Sequence, residues 1–215
     1  MTDWEMKVHN FMCLNKFVKK GEIVFTGSSL CELFPINEML QNVEPRIRVY
    51  NRGIGGDVTD GLLERMDESI FDLEPKKVFI NIGTNDISRP EYKRERLMSQ
   101  YRKILMQICR RVSPETKTYV MSYYLVNCEM LPVAQTWSGE GQFGARTNAE
   151  LEAVNAEVGK WQRSSGCAHA IRCVRLGLLD EKGNLKAEYT IEGMHMYANG
   201  YAVVLEKLMP YLLEE

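Results

Sequence analysis

The chain has 215 residues, enough for one sizeable core, and a single domain spanning 1–215 is expected. Its apolar and charged shares, 45% and 26%, match a globular protein in water, and a formal net charge of −2 with no basic run offers no footprint for nucleic acid or an anionic membrane surface. No stretch approaches the ~18 consecutive apolar residues that a membrane span needs.

Six cysteines (Cys13, Cys31, Cys109, Cys128, Cys167 and Cys173) are scattered without a C-x-x-C pair, and the start Met1-Thr-Asp-Trp-Glu-Met-Lys7 carries acids instead of the apolar core of a signal peptide. Reduced thiols in a cytoplasmic protein are the expectation.

In chain order, an amphipathic helix is expected near residues 4–19, within a leading segment 1–20. A first strand, Ile23-Val-Phe-Thr26, ends at Gly27, and a second, Ile47-Arg-Val-Tyr50, ends at Asn51-Arg-Gly53. A helix over Asp60 to about Phe71 sets Leu62, Leu63, Met66 and Ile70 on one face. The third strand, Val78-Phe-Ile-Asn-Ile82, stops at Gly83, and a helix from Glu91 to about Val112 repeats Leu97, Tyr101, Ile104, Leu105 and Ile108. The fourth strand is Thr118-Tyr-Val-Met121. Residues 124–146, with Pro132, Trp137 and Phe143, fit no element and read as a substrate-side lid or a surface insertion. A helix from Thr147 to about Arg163, a fifth strand Ala170-Ile-Arg-Cys-Val174 and a helix from Tyr201 to Leu213 complete the pattern. Short β-branched runs alternating with helices define an α/β protein, a three-layer α/β/α sandwich on a five-stranded parallel sheet.

Ligands in such a sheet bind beyond the C-terminal strand ends, and the unusual residues collect there. After the first strand, Gly27-Ser28-Ser29 places a hydroxyl on a sharp turn at the start of a helix. One of the two serines can be an ordinary helix cap. After the second strand, Asn51-Arg-Gly-Ile-Gly-Gly-Asp57 frees the backbone around Gly56 to aim N–H groups at a ligand. It lacks the G-x-G-x-x-G spacing of a dinucleotide loop. After the third strand, Gly83-Thr-Asn85-Asp86 offers an amide that can donate to an oxyanion, or else an Asx-type turn. Near the C-terminus, Thr190-Ile-Glu192-Gly-Met-His195 joins a carboxylate to one of only three histidines, half of a nucleophile-activating pair.

These four segments, in this order from about Ile23 to Tyr201, resemble the signature blocks of the SGNH (GDSL-type) hydrolases, esterases and lipases of flavodoxin-like fold. The likeness is nearest to the branch holding platelet-activating-factor acetylhydrolase-like proteins and small bacterial acylhydrolases. The resemblance implies Ser29 as nucleophile, His195 as general base, Glu192 as third member of the triad, and an oxyanion hole built from the N–H of Ser29, the N–H of Gly56 and the amide of Asn85. Two departures stand out: Ser28 occupies the place of the family's Asp before the nucleophile, and Glu192 stands where the family has Asp.

The expected activity is that of a serine esterase without metal or cofactor. Its substrate would be a small short-chain ester of acetyl type, O-acetylated sugars included, with no nucleic-acid partner and no membrane span. The alternatives are a non-catalytic SGNH-fold binding protein with an impaired triad, and a nucleotide-binding flavodoxin-like protein, for which Gly27-Ser-Ser-Leu30 is too short a phosphate loop.

Overall fold

A computed structural model of the chain describes residues 1–130, 144–165, 169–171 and 177–214. Trp137, Phe143, Cys167, Cys173 and the end of the expected fifth strand, 172–174, lie outside the described residues.

Five strands, β1 (Ile23–Gly27), β2 (Val49–Gly53), β3 (Lys77–Asn81), β4 (Lys117–Met121) and β5 (His169–Ile171), pair in parallel in the order β2-β1-β3-β4-β5. Because the chain steps from β1 to one side and returns on the other, the C-terminal end of β1 lies between those of β2 and β3. Around the sheet run α1 (Asp3–Leu14), α2 (Ser29–Glu32), α3 (Ile36–Met39), α4 (Thr59–Glu64), α5 (Met66–Ser69), α6 (Thr84–Ile87), α7 (Arg94–Arg111), α8 (Asn148–Ser165) and α9 (Ala198–Leu213).

Alternation along the strands divides the core in two. Val78 and Ile80 of β3 and Val120 of β4 meet Leu62, Met66, Ile104, Ile108, Leu151 and Val154 from α4, α5, α7 and α8. Phe25, Phe79 and Tyr119 point to the other face, against α2, α3 and α9. Their register puts Phe25 beside Phe79 and Phe79 beside Tyr119, and the rings stack at 4.5 and 4.7 Å. Burying each such side chain contributes about 1.5–3 kcal/mol, so a parallel sheet covered on both faces is where these sequences are most stable.

Several elements differ from the sequence expectation. The first helix stops at Leu14 and passes into a 3₁₀ turn, because Asn15 is held across the molecule: its Nδ2 donates to the Glu68 carbonyl (2.8 Å) and its Oδ1 accepts from Arg52 (2.9 Å). Strand β2 lies two residues later than the apolar run and takes in Asn51 and Arg52. Distant partners receive both polar side chains: Asn51 Nδ2 donates to the Cys31 carbonyl (2.7 Å), and the Arg52 guanidinium lies over the Phe11 ring (5.1 Å) and donates to Asn15 (2.9 Å). The helix expected over 60–71 is broken into α4 and α5 at Arg65, whose guanidinium turns into the core. The two ends of the segment 124–146 are core: Tyr124, Leu125, Val126 and Arg146 are buried.

Candidate active site

Ser29 is the first residue of α2, immediately beyond β1. Gly27, at the end of β1, has a tight reason to be glycine: a Cβ there would lie 2.0 Å from the carbonyl oxygen of Asn81 in the neighbouring strand. The turn is therefore pressed against β3, and the Ser28 N–H donates to that same carbonyl (3.2 Å). Ser28 is the residue before the helix but its side chain caps nothing; it is fully buried, and its hydroxyl has no hydrogen-bond partner among the described residues. The two serines thus part company, one hydroxyl inside and the other on the rim.

The Ser29 hydroxyl meets His195 Nε2 at 2.8 Å. On the other side of the ring, Nδ1 bonds the carboxylate of Glu192, which is completely buried. Both Glu192 oxygens also accept the backbone N–H of His195, at 3.2 and 3.3 Å. The loop makes this fold-back possible. Its two ends are tied by Ile191 N to the His195 carbonyl (2.8 Å) and by Thr190 Oγ1 to the same oxygen (2.7 Å), and Gly193 crosses the bend at φ +103°, a conformation that strains other residues. The longer glutamate arm curls back over its own turn, which is how the carboxylate comes to lie on the ring nitrogen.

The glycine-rich turn after β2 sits beside the serine. Ile54 N donates to the Gly27 carbonyl (3.1 Å), Gly55 N donates to Glu32 Oε2 (2.6 Å), and Gly56 has a positive φ of 75°. Glu32 is itself held by Lys7 of α1 (2.9 Å). Beyond Gly56, Asp57 Oδ2 accepts Arg65 Nε at 2.7 Å, and Oδ1 accepts Trp4 Nε1 at 3.2 Å. Arg65 is fully buried and also donates to the carbonyls of Gly27 (2.9 Å) and Arg52 (2.8 Å) and to the Ser69 hydroxyl (2.7 Å). Burial pulls its pKa down and Asp57 pulls it back up. One cation therefore ties together the ends of β1, β2 and the turn between β2 and α4.

Asn85 lies in α6, just past β3. Its Nδ2 donates to the Asp57 carbonyl (2.8 Å), and its Oδ1 accepts from Arg146 (3.0 Å). Asp86 is not a cap for its own helix. Its carboxylate accepts the N–H of Thr59 (3.1 Å) and the Thr59 hydroxyl, so it holds the start of α4. Arg146 is buried; its Nε and a terminal nitrogen donate to the Thr84 carbonyl at 3.1 and 2.8 Å, and its other terminal nitrogen touches Met194 Sδ. Burial lowers its pKa to about 10, with the Glu192 carboxylate opposing the fall, so it remains a cation at neutral pH.

All four sequence segments thus meet on one rim: Ser29, Gly56, Asn85 and the Glu192–His195 pair. Sequence reasoning missed the braces behind them. Arg65 left a signal, since it falls on the apolar face with Leu62 and Met66 where a charge needs a buried partner. Glu32, Lys7 and Arg146 left none. Among the described residues no group of three or more His, Cys, Asp or Glu is placed to hold a metal ion, and no helix is long and apolar enough to cross a membrane.

A hydroxyl, an imidazole and a buried carboxylate in series, on the rim of a doubly wound parallel sheet, suit acyl transfer. The profile of the GDSL-like Lipase/Acylhydrolase family matches residues 36–203, well over half of the chain, so this protein belongs to that family and is a carboxylic ester hydrolase of GDSL/SGNH type. The matched span takes in Gly56, Asn85, Glu192 and His195 and begins after Ser29. Over 98% of its length the chain is 24% identical to the human (Homo sapiens) platelet-activating factor acetylhydrolase IB subunit alpha2, of which it covers 85%. A solved structure from Streptococcus pneumonia, described as a platelet activating factor protein, superposes with a TM-score of 0.84 at 26% identity, covering 98% of this chain and 92% of that one. An acetylxylan esterase from Geobacillus stearothermophilus shares the fold at TM-score 0.62 and 16% identity, covering 92% and 97%.

Proposed function

We propose that the protein is a serine esterase for short-chain, acetyl-type carboxylic esters, and that residues 1–215 act as one SGNH hydrolase domain in the cytoplasm. The observation that carries the reading is the 2.8 Å contact between Ser29 Oγ and His195 Nε2, with Glu192 on the far ring nitrogen.

In this reading Ser29 Oγ attacks the ester carbonyl carbon while its proton passes to His195 Nε2. The carbonyl electron pair moves onto oxygen, where the N–H groups of Ser29 and Gly56 and the Nδ2 of Asn85 receive it. The N–H of Ser29 is available because the first N–H groups of a helix have no partner within it. Glu192 keeps the proton on Nδ1 and stabilises the imidazolium. Collapse of the intermediate breaks the bond to the leaving alcohol, which takes the proton from Nε2. Water, deprotonated by the same nitrogen, then releases the acid and restores Ser29.

Two of the similar proteins carry acetyl esters in their names, an acetylhydrolase subunit and an acetylxylan esterase, and this supports a short acyl group, with O-acetylated sugars among the candidate substrates. Hydrolysis of p-nitrophenyl esters of increasing chain length tests the acyl preference, and Ser29→Ala tests the mechanism. The expected results are a maximum at acetyl and near-complete loss of turnover in the variant. A Ser29→Ala protein as fast as its parent sinks the reading.

The rival reading, a non-catalytic binding protein, leaned on Ser28 and Glu192. The bonds from Glu192 to His195, through both ring and backbone, weigh against it.

A further inference from the structure

Arg146 stands where two parts of the site meet. Its guanidinium donates to the carbonyl of Thr84 and the side-chain oxygen of Asn85 on one side, and touches Met194, between Glu192 and His195, on the other. The residue is buried, and nothing in the reaction written above uses it.

We propose that Arg146 is a positioning residue that fixes the amide of Asn85 in the orientation an oxyanion requires. The inference rests on Asn85 being an oxyanion donor.

Donors and acceptors set the orientation. An asparagine amide can sit either way round unless its neighbours choose. Here the Asp57 carbonyl accepts on one side (2.8 Å), and Arg146 donates on the other (3.0 Å). Rotated by half a turn, the amide would set its NH₂ against a guanidinium and its oxygen against a carbonyl, losing two bonds and gaining two repulsions. The observed orientation leaves the second Nδ2 hydrogen uncommitted to Asp57. A cation on the oxygen also draws electron density toward it and strengthens the N–H as a donor, an effect that grows where water is excluded. Arg146 is anchored independently of the amide by its two bonds to the Thr84 carbonyl, next in the chain to Asn85, so cation and amide hold a common frame. The same charge also faces the buried carboxylate of Glu192.

A double-mutant cycle tests this on the intact protein, with p-nitrophenyl acetate as substrate and the thermal midpoint as the control for folding. Arg146→Met should lower kcat about tenfold or more while KM stays within about twofold, the mark of an interaction realised in the transition state. Arg146→Lys, which keeps a donor and a charge but not the fork, should recover kcat to within about threefold of the parent. In an Asn85→Ala background the same Arg146→Met change should cost less than about twofold, because the group it acts through is gone. If Arg146→Met does not fold, the same cycle run with Arg146→Lys reads the coupling: about threefold in the parent, none beside Asn85→Ala. Equal losses in both backgrounds, or a change in KM alone, overturn the role of Arg146 and leave the oxyanion assignment standing. An Asn85→Ala protein as fast as its parent removes that assignment, and the role of Arg146 with it.

Discussion

His195 Nε2 lies 2.8 Å from Ser29 Oγ although 166 residues separate them in sequence. The sheet order brings them together: β1 ends between β2 and β3, and the loop ahead of α9 returns to the same rim. If the contact transfers a proton, Ser29→Ala and His195→Ala should each abolish nearly all turnover, and the double variant should be no slower than either single one, since groups acting as a unit are not additive. Steady-state hydrolysis of p-nitrophenyl acetate by the three proteins measures this.

Glu192 supplies a charge as well as a shape. Its carboxylate accepts both Nδ1–H and the backbone N–H of His195. Glu192→Gln keeps the volume and removes the charge that the proposed mechanism sets against the imidazolium, so kcat should fall by about 10²-fold or more. Glu192→Asp keeps the charge on a shorter arm and should lose about tenfold or less. A Gln variant at the parent rate would show that the carboxylate is dispensable.

The Arg65–Asp57 pair acts on stability. Arg65 Nε and Asp57 Oδ2 are 2.7 Å apart with both side chains almost fully buried, and the guanidinium also serves the carbonyls of Gly27 and Arg52. Arg65→Met leaves a buried carboxylate and two carbonyls short of donors, and should lower the unfolding free energy by about 3–5 kcal/mol in urea titration. Removing both charges together, as Arg65→Met with Asp57→Leu, should cost less than the sum of the two single changes.

Thiol reactivity should divide along burial. Cys31 is buried in α2, and burial pushes its thiol up to about 12, so it carries almost no thiolate near neutral pH. Cys109 and Cys128 are exposed. Iodoacetamide at pH 8, followed by peptide mapping, should label those two within minutes and spare Cys31 until the protein is unfolded. Equal labelling of Cys31 in the native protein would contradict its placement.

Strands β1, β3 and β4 were legible because Val24, Phe25, Val78, Phe79 and Val120 are apolar runs buried on both faces, and such runs need no context to be recognised. β2 was displaced because a sheet edge tolerates Asn51 and Arg52 once Asn15, Cys31 and Phe11 receive them, partners that lie far away in sequence. The helix over 60–71 failed at Arg65 for the same reason: periodicity records which face is buried, not whether a buried cation will break the turn. In the site, Ser29, Gly56, Asn85, Glu192 and His195 could be picked out because each is an unusual residue on a turn at a strand end or ahead of the last helix. Their braces, Glu32 and Arg146, are ordinary charged residues in sequence and gain meaning only from what they touch.

In the proposed mechanism His195 activates Ser29 as a nucleophile. A fluorophosphonate probe followed by peptide mapping tests it most directly, because the reagent bonds only to a serine whose proton is being removed. One phosphonylated peptide is expected, modified at Ser29, with labelling slowed by orders of magnitude in His195→Ala. An unlabelled protein, or a label that His195→Ala leaves equally fast, would contradict it.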